Sequence, residues 1–566
     1  MKTNLILLPA PRRVTLTGGH VADTTLVTES IDPSVARTQG YRIEIAPGHV
    51  QLVGHDQAGL FYARQTLVQL RRQYAIELPI GTLEDWPDFV VRGVMLDISR
   101  DKVPTMGTLF GIIDLLAELK VNQLQLYTEH TFAYANHRDV WKDASPLTAK
   151  EVRQLDAYCR ARFIDLVPNQ NSFGHMERWL KHPRYVDLAE KPDGFTFPWG
   201  THHAGGFSLN PLDPRSLALV EGLYDELLPN FTSKLFNVGC DETFDLGLGK
   251  SKDECERRGK ERVYLDFLLK IHNAVTGRGR TMQFWGDIIL HKPELIPELP
   301  KDVIALNWGY EFDHPFDIEA AAFASAGVPF YVCPGTGSWL SISGRTDVAL
   351  GNLANAAENG LKHGAIGYLN TDWGDYGHLQ YLPISYLGLA AGAAYSWCYA
   401  TNRDTSITDA LDLHVFRDAA GVMGRVVHDL GNVYQAIHER LKMSSRLFWA
   451  LVGGEDRVRL FKDVTREEFD AAEARIDAAL APLHRAQMDR PDAQLIQDEL
   501  RNAGAMLRYA CERGRRRLRE NRLPEHDVPR MDAIVREHRR LWMARNRAGG
   551  ADSSVSRLTG AASSTF

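Results

Sequence analysis

Leu235-Phe236-Asn237-Val238-Gly239-Cys240-Asp241-Glu242-Thr243 is a short apolar run that ends in a glycine and leads into two adjacent carboxylates. Such a run reads as a buried parallel strand delivering acids to its C-terminal edge. Neighbouring strand residues point to opposite faces. Asp241 and Glu242 therefore share one pocket only if the strand ends here and the backbone turns. The bland alternative makes Asp241 a helix cap and Glu242 a first-turn acid. The surrounding sequence decides between them.

From Val90 to about Ala400 the pattern alternates strand and helix. Strand candidates are 91–98, 123–127, 163–168, 235–239, 281–285, 303–308, 329–333 and 365–370, and amphipathic stretches such as 109–119, 149–162, 264–276 and 318–326 separate them. This predicts an α/β fold, a (β/α)8 TIM barrel over 89–400. An open doubly wound sheet is the alternative, but no Gly-rich phosphate loop follows any strand. In a barrel the chemistry sits at the C-terminal strand ends. Those ends carry Asp97 and Arg100; Glu129 and His130; Asn169, Gln170, Asn171 and His175; Asp241 and Glu242; Trp285 and Asp287; Asn307, Trp308, Tyr310 and Glu311; Trp339; and Asp372, Trp373, Asp375 and Tyr376. Of 11 tryptophans, Trp285, Trp308, Trp339 and Trp373 stand at or just past strands five to eight. Indole faces beside carboxylate, amide and guanidinium groups are what a sugar ring requires, because its C–H faces pack on indole and its hydroxyls need paired donors and acceptors.

The flanks are plainer. Residues 1–88 predict a small α+β domain. Tyr41–Ile45 and Val50–Val53 alternate like strands, Leu60, Ala63, Leu67 and Leu70 keep helical spacing, and Asp85-Trp86-Pro87-Asp88 forms the joint. Residues 401–547 predict a helical region, with long stretches at 466–480 and 492–513, expected to dock on the barrel or to pair with a second copy as a homodimer. The Gly-, Ala- and Ser-rich tail, 548–566, is expected to be disordered. A net charge of −7 gives no reason to expect nucleic acid or anionic membrane as a partner, and the basic run at 515–519 reads as a solvated helix face. Six scattered cysteines without C-x-x-C spacing predict neither a metal cluster nor a disulfide framework. With no apolar run of membrane-spanning length and too short an apolar start for a signal peptide, a cytoplasmic location is expected. No metal or cofactor is implied; His202-His203 read as a loop pair.

Several segments, in order, resemble glycoside hydrolase family 20, the β-N-acetylhexosaminidases. Asp85-Trp86-Pro87 followed by Arg92-Gly93-Val94-Met95-Leu96-Asp97 resembles the junction of that family's small domain and barrel. Ser99-Arg100 resembles its first-strand arginine, and Val167-Pro168 through Gly174-His175 its third-strand segment. Val238-Gly239-Cys240-Asp241-Glu242 resembles its Gly-x-Asp-Glu pair. The resemblance covers about residues 40 to 400. It implies exo-hydrolysis of terminal N-acetyl-β-hexosamine, GlcNAc or GalNAc, in which the substrate's acetamido oxygen is the nucleophile and an oxazolinium forms. Glu242 would be the acid and later the base, and Asp241 the carboxylate that orients the acetamido group. Arg100 would fork onto adjacent sugar hydroxyls, His175 support the acid, Trp373 floor the ring and Asp375 bind the far hydroxyls. Trp285, Trp308 and Trp339 would wall the acetamido methyl. Tyr310, with Tyr331 and Tyr376 as rivals, would donate to the acetamido oxygen. Glu129 and His130 stay open between the −1 sugar and the leaving group. Asn237 stands where the family commonly has His, Cys240 where it has a second Gly, and Asn169 and Gln170 where acids are common, so the resemblance is to a divergent branch, and the helical C-terminal region resembles that of some bacterial members. A glycosidase for another sugar and a non-catalytic sugar-binding protein are the competing expectations.

Overall fold

The computed structural model describes residues 5–23, 25–35, 37–438, 440–520 and 528–560. Near the N-terminus, Arg13–Ala22, Glu77–Asp85, Tyr41–Ala46, His49–Gly54 and Leu26–Ile31 form a five-stranded sheet in that order. Tyr41, Ile43 and Ile45 alternate inward, and the helix Gln57–Tyr74 lays Leu60, Ala63, Leu67 and Leu70 on that face. Asp56 caps the helix by accepting from the Gly59 N–H. Three of these strands lie outside the two pairing segments read from sequence.

The barrel follows. Its strands are β1 (Val91–Asp97), β2 (Gln123–Tyr127), β3 (Asp165–Val167), β4 (Leu235–Asn237), β5 (Thr281–Trp285), β6 (Ile304–Trp308), β7 (Phe330–Cys333) and β8 (Gly367–Asp372), all parallel to their neighbours. A bridge between Asn169 and Asn237 closes the ring between β3 and β4, with Asn237 N–H donating to Pro168 and Gln170 N–H to Asn237, both at 3.0 Å. The lower barrel is filled by hydrogen-bonded amides. Asn237 Nδ2 donates to Gln125 (2.8 Å), and Gln125 Nε2 to Gln283 (2.9 Å) and Gln123 (3.2 Å). Above them lie Tyr127, Trp285, Leu306, Tyr310, Trp339 and Trp373 in one buried cluster. Gln125 and Asn237 find their partners within the amide network, while Gln283 Nε2 has no hydrogen-bond partner among the described residues.

The C-terminal region docks on the barrel. Its helices include Arg466–Leu480, Ala493–Glu520 and Val528–Arg545. Thr105 N–H donates to Arg545 O, Arg547 N–H to Val103 O, and Arg545 donates a buried pair of hydrogen bonds to Glu499 at 2.7 and 2.9 Å. In the basic run, Arg515 pairs with Asp470 and Glu473, and Arg517 lies over Phe461. The expected disorder from Ala548 does not hold. Ala551–Thr559 is a helix with Ala551, Ser554, Val555 and Leu558 buried against the barrel loops; residues 561–566 lie outside the described residues. Composition made the segment look solvated because its order comes from docking, not from its own periodicity. No helix among the described residues is long and apolar enough to cross a membrane.

Candidate active site

The strand β4 ends as the acid pair requires. Gly239, Cys240 and Glu242 all have left-handed backbone, with φ of +68°, +69° and +49°. This tight turn breaks the strand's alternation and turns Asp241 and Glu242 toward one site. Gly239 is obligatory, because a Cβ there would stand 1.6 Å from Asn171 Oδ1. Cys240 adopts a conformation that suits glycine, at a strain of about 1 kcal/mol or more. Tyr264 O–H holds the Cys240 carbonyl at 2.8 Å. Asn237 Oδ1 accepts the Gly239 N–H at 2.9 Å and so fixes the start of the turn. Gly174 lets the third loop lie against the pair, since a Cβ there would meet the Asp241 carbonyl at 2.3 Å.

His175, itself at φ +54°, places Nε2 3.3 Å from Asp241 and 3.2 Å from Glu242. Both oxygens are in ion-pairing range, although the ring N–H is aligned for a hydrogen bond with neither. Burial opposes a charged ring, but the adjoining carboxylates outweigh it and raise His175 well above the usual imidazole range. Nδ1 lies 3.3 Å from Arg100. These three side chains are also a grouping, among the described residues, with ligand atoms close enough to hold a metal.

Arg100 sits among three carboxylates, 3.2 Å from Asp97, 3.2 Å from Glu129 and 4.0 Å from Asp375, with its guanidinium over the Tyr127 and Trp373 rings. Burial pushes Glu129 up to about 7 and Asp375 up to about 6, against the pull of Arg100. Tyr127 O–H donates to Glu129 at 3.0 Å and accepts from Asn171 at 2.6 Å. Burial, reinforced by the charges of Arg178, Lys181 and His182, lowers His130 well below the usual imidazole range. Asn169 and Gln170 serve the loop backbone: Asn169 accepts from Thr128 N–H, and Gln170 donates to the Glu129 and Asn171 carbonyls. Neutral amides there avoid adding charge beside a carboxylate-rich site.

The aromatic residues assemble on the far side. Trp308 stacks on Tyr310 (5.1 Å, 23°), Tyr310 meets Trp339 edge-on (5.1 Å), and Trp285 and Trp373 lie 6.0 Å apart. Trp373 Nε1 donates to the Tyr310 hydroxyl at 2.8 Å, and Thr371 is a second hydrogen-bonding neighbour of that hydroxyl. The buried indole N–H groups of Trp285 and Trp339, and Asp241 Oδ1, have no hydrogen-bond partner among the described residues. The rivals of Tyr310 point elsewhere: Tyr331 lies low, against Gly367, and Tyr376 packs outward on Phe448, Trp449 and Arg557. Asp372 is structural, its Oδ1 accepting from Thr336, Ser338 and Ser385.

Two residues join the site beyond those assigned from sequence. Asp287, two residues past Trp285, accepts the Glu242 N–H at 3.0 Å, and burial, reinforced by Asp241, pushes it up to about 8. Its place at a strand end was the available signal. Met443 comes from the C-terminal region; its N–H donates to Glu311 at 2.7 Å and its side chain packs on the aromatic cluster. No sequence pattern marks it.

The chain matches the catalytic-domain model of glycosyl hydrolase family 20 over residues 89–359 and that family's domain 2 over residues 7–86. It is 26% identical over 313 residues to a β-hexosaminidase of Akkermansia muciniphila, covering 49% of this chain and 61% of the relative. It is 24% identical over 301 residues to a lacto-N-biosidase of Bifidobacterium bifidum, covering 50% of this chain and 25% of the relative. The chain thus spans less than two thirds of either protein. A Flavobacterium johnsoniae chitobiase structure superposes with a TM-score of 0.59 at 16% identity over 98% of both chains, so the fold likeness includes the helical region. Small domain, barrel and Gly-x-Asp-Glu turn are one arrangement, and the chain belongs to glycosyl hydrolase family 20.

Proposed function

We propose that the protein is an exo-acting β-N-acetylhexosaminidase that hydrolyses terminal GlcNAc or GalNAc with retention. The observation that carries this is the turn after β4, where Asp241 and Glu242 share His175 opposite the wall of Trp285, Trp308, Tyr310 and Trp339. In two-carboxylate glycosidases the second carboxyl is the nucleophile. Here the adjacent acid is better placed to hold a substrate group, and the acetamido oxygen supplies the attack. Glu242 protonates the glycosidic oxygen as the anomeric C–O bond breaks and the oxazolinium closes. Asp241 accepts the acetamido N–H and offsets the positive charge there. Tyr310 donates to the acetamido oxygen and aligns it, and the indoles keep water off the closing ring. Glu242 then takes a proton from water as the water oxygen bonds to the anomeric carbon from the face the leaving group left, and the bond to the acetamido oxygen breaks. Arg100 and Asp375 bind the hydroxyls farthest from the bond that breaks. This chemistry needs no metal. Six buried, unpaired cysteines support a reducing, cytoplasmic location, and a homodimer through the C-terminal helices is testable by sedimentation.

The test is a panel of 4-nitrophenyl β-glycosides. Wild type should release nitrophenol from the N-acetyl substrates and be inhibited by a thiazoline analogue of the intermediate. Glu242→Gln should lose roughly 10²- to 10⁴-fold in kcat. Asp241→Asn should injure acetamido substrates in particular. Wild type inert on both gluco- and galacto-configured N-acetyl substrates would sink the proposal, and equal cleavage of a plain β-glucoside would favour another sugar.

A further inference from the structure

The aromatic wall over β5 to β8 comes from the barrel, and the rings of Trp285 and Trp339 within it are fully buried. Toward the barrel mouth, three side chains on this cluster are only partly buried. They are Trp308 at the end of β6, Leu340 in the loop after β7, and Met443 from the C-terminal region. Val91 and Leu235, also partly buried, open β1 and β4 at the opposite end.

Met443 arrives on a strap, residues 441–445, that is fixed along its length. Arg345 Nη1 donates to the Leu441 carbonyl at 3.4 Å, and the Met443 N–H donates to Glu311 at 2.7 Å. The same Glu311 oxygen accepts from Arg345 at 2.8 Å, so carboxylate and guanidinium hold the strap together. Ser444 Oγ accepts from Trp449 Nε1 at 2.9 Å, and the Ser445 N–H donates to the Leu340 carbonyl at 2.9 Å. Glu311 is three residues past Trp308, and Leu340 follows Trp339, so these ties seat the strap beside both indoles. Met443 itself has left-handed backbone, φ +63°, which disfavours a side chain. Such a conformation persists only where its surroundings over-determine it, and five hydrogen bonds do so here.

An N-acyl group longer than acetyl must extend past the place where the methyl meets the wall. Close-packed interior rings have no room to retreat, so the extension meets the partly buried edge. An unbranched thioether fills such an edge to shape. We propose that Met443 sets the N-acyl specificity of the site, closing the acyl pocket beyond the acetamido methyl so that N-acetyl substrates are accepted and longer N-acyl ones are rejected. This rests on the hexosaminidase reading, in which the acetamido methyl packs on Trp285, Trp308 and Trp339. The test measures kcat/KM on 4-nitrophenyl β-hexosaminides carrying N-acetyl or N-butyryl, in the ring configuration that wild type prefers, and takes the butyryl-to-acetyl ratio. Differences in acyl reactivity cancel when variants are compared by this ratio. Met443→Ala and Met443→Gly should each raise it about 10-fold, the discrimination that one methylene supplies in an apolar pocket. Met443→Leu, which conserves volume, should hold it within about 2-fold of wild type. Glycine also suits the left-handed backbone, so a truncated variant remains if alanine fails to fold, and thermal midpoints identify the folded chains. A ratio unchanged in the folded truncations, or raised equally by Met443→Leu, overturns the assignment, as does a wild type that cleaves both substrates equally well. Wild type inactive on the N-acetyl substrate would instead overturn the hexosaminidase reading.

Discussion

Asp287 holds the backbone of the proposed acid, and its environment makes it the clearest pH reporter in the site. Its folded-state value near 8 lies well above that of an unfolded aspartate. Between about pH 4 and 8 the unfolded chain has released this proton and the folded chain has not, so stability falls as pH rises through that window and levels above it. Glu129, near 7, and Asp375, near 6, act with the same sign over narrower windows. Asp287→Asn should therefore flatten the decline of Tm between pH 5 and 8, read by scanning fluorimetry. A slope equal to wild type would refute the assignment. Gly174 makes a second, steric case. Its α-hydrogen side faces the Asp241 carbonyl, so Gly174→Ala must move the third loop or the acid turn. A displacement near 1 Å at a reacting group costs up to about 10²-fold in rate. Gly174→Ala should lose activity on that order, with circular dichroism showing the fold retained.

At the scale of elements, the helix Ala551–Thr559 reaches both loops that carry sugar-binding candidates. Ser553 O–H donates to Asp101, next to Arg100, at 3.0 Å, and Ser554 O–H donates to the Gly377 carbonyl, two residues past Asp375, at 2.5 Å. Gly550 fits flush on Asp101, where a Cβ would meet the Asp101 carbonyl at 1.9 Å. Ending the chain at Ala548 should raise KM on the order of 10-fold through loosened loops and lower Tm, while Ser553→Ala with Ser554→Ala should show the KM effect alone. The same helix marks where sequence reading runs out. Strand ends were legible because each mainly β-forming run closes in a turn rich in acids, glycine or indole at the barrel mouth, as Gly239 to Glu242 and Asp372 to Asp375 do. The segment from Ala548 has no such contrast, and only the loops beneath it make it a helix. The left-handed turn at Cys240 was likewise hidden, because a cysteine carries no sign of positive φ.

On the scale of the whole molecule, small domain, barrel and last barrel helix meet at one buried carboxylate. Asp85, at the domain joint, accepts from Tyr41 O–H and Trp397 Nε1, both at 2.8 Å, and from Arg12 N–H at 3.1 Å. Lys120, at the foot of β2, stands 3.7 Å away and lies over the Tyr41 and Trp397 rings. Burial lowers Lys120 to about 8 and raises Asp85, which shows how little solvent either charge retains. Replacing one partner leaves the other charge uncompensated, whereas replacing both removes the desolvation problem with the attraction. Lys120→Met should therefore destabilise by about 3–5 kcal/mol, and adding Asp85→Asn should return part of that loss, because it removes the uncompensated charge while the amide oxygen keeps the donors on one of the two carboxylate oxygens. Urea unfolding of wild type, both single variants and the pair measures the coupling. A double variant no more stable than Lys120→Met would mean that the carboxylate's hydrogen bonds, rather than its pairing with Lys120, join the small domain to the barrel.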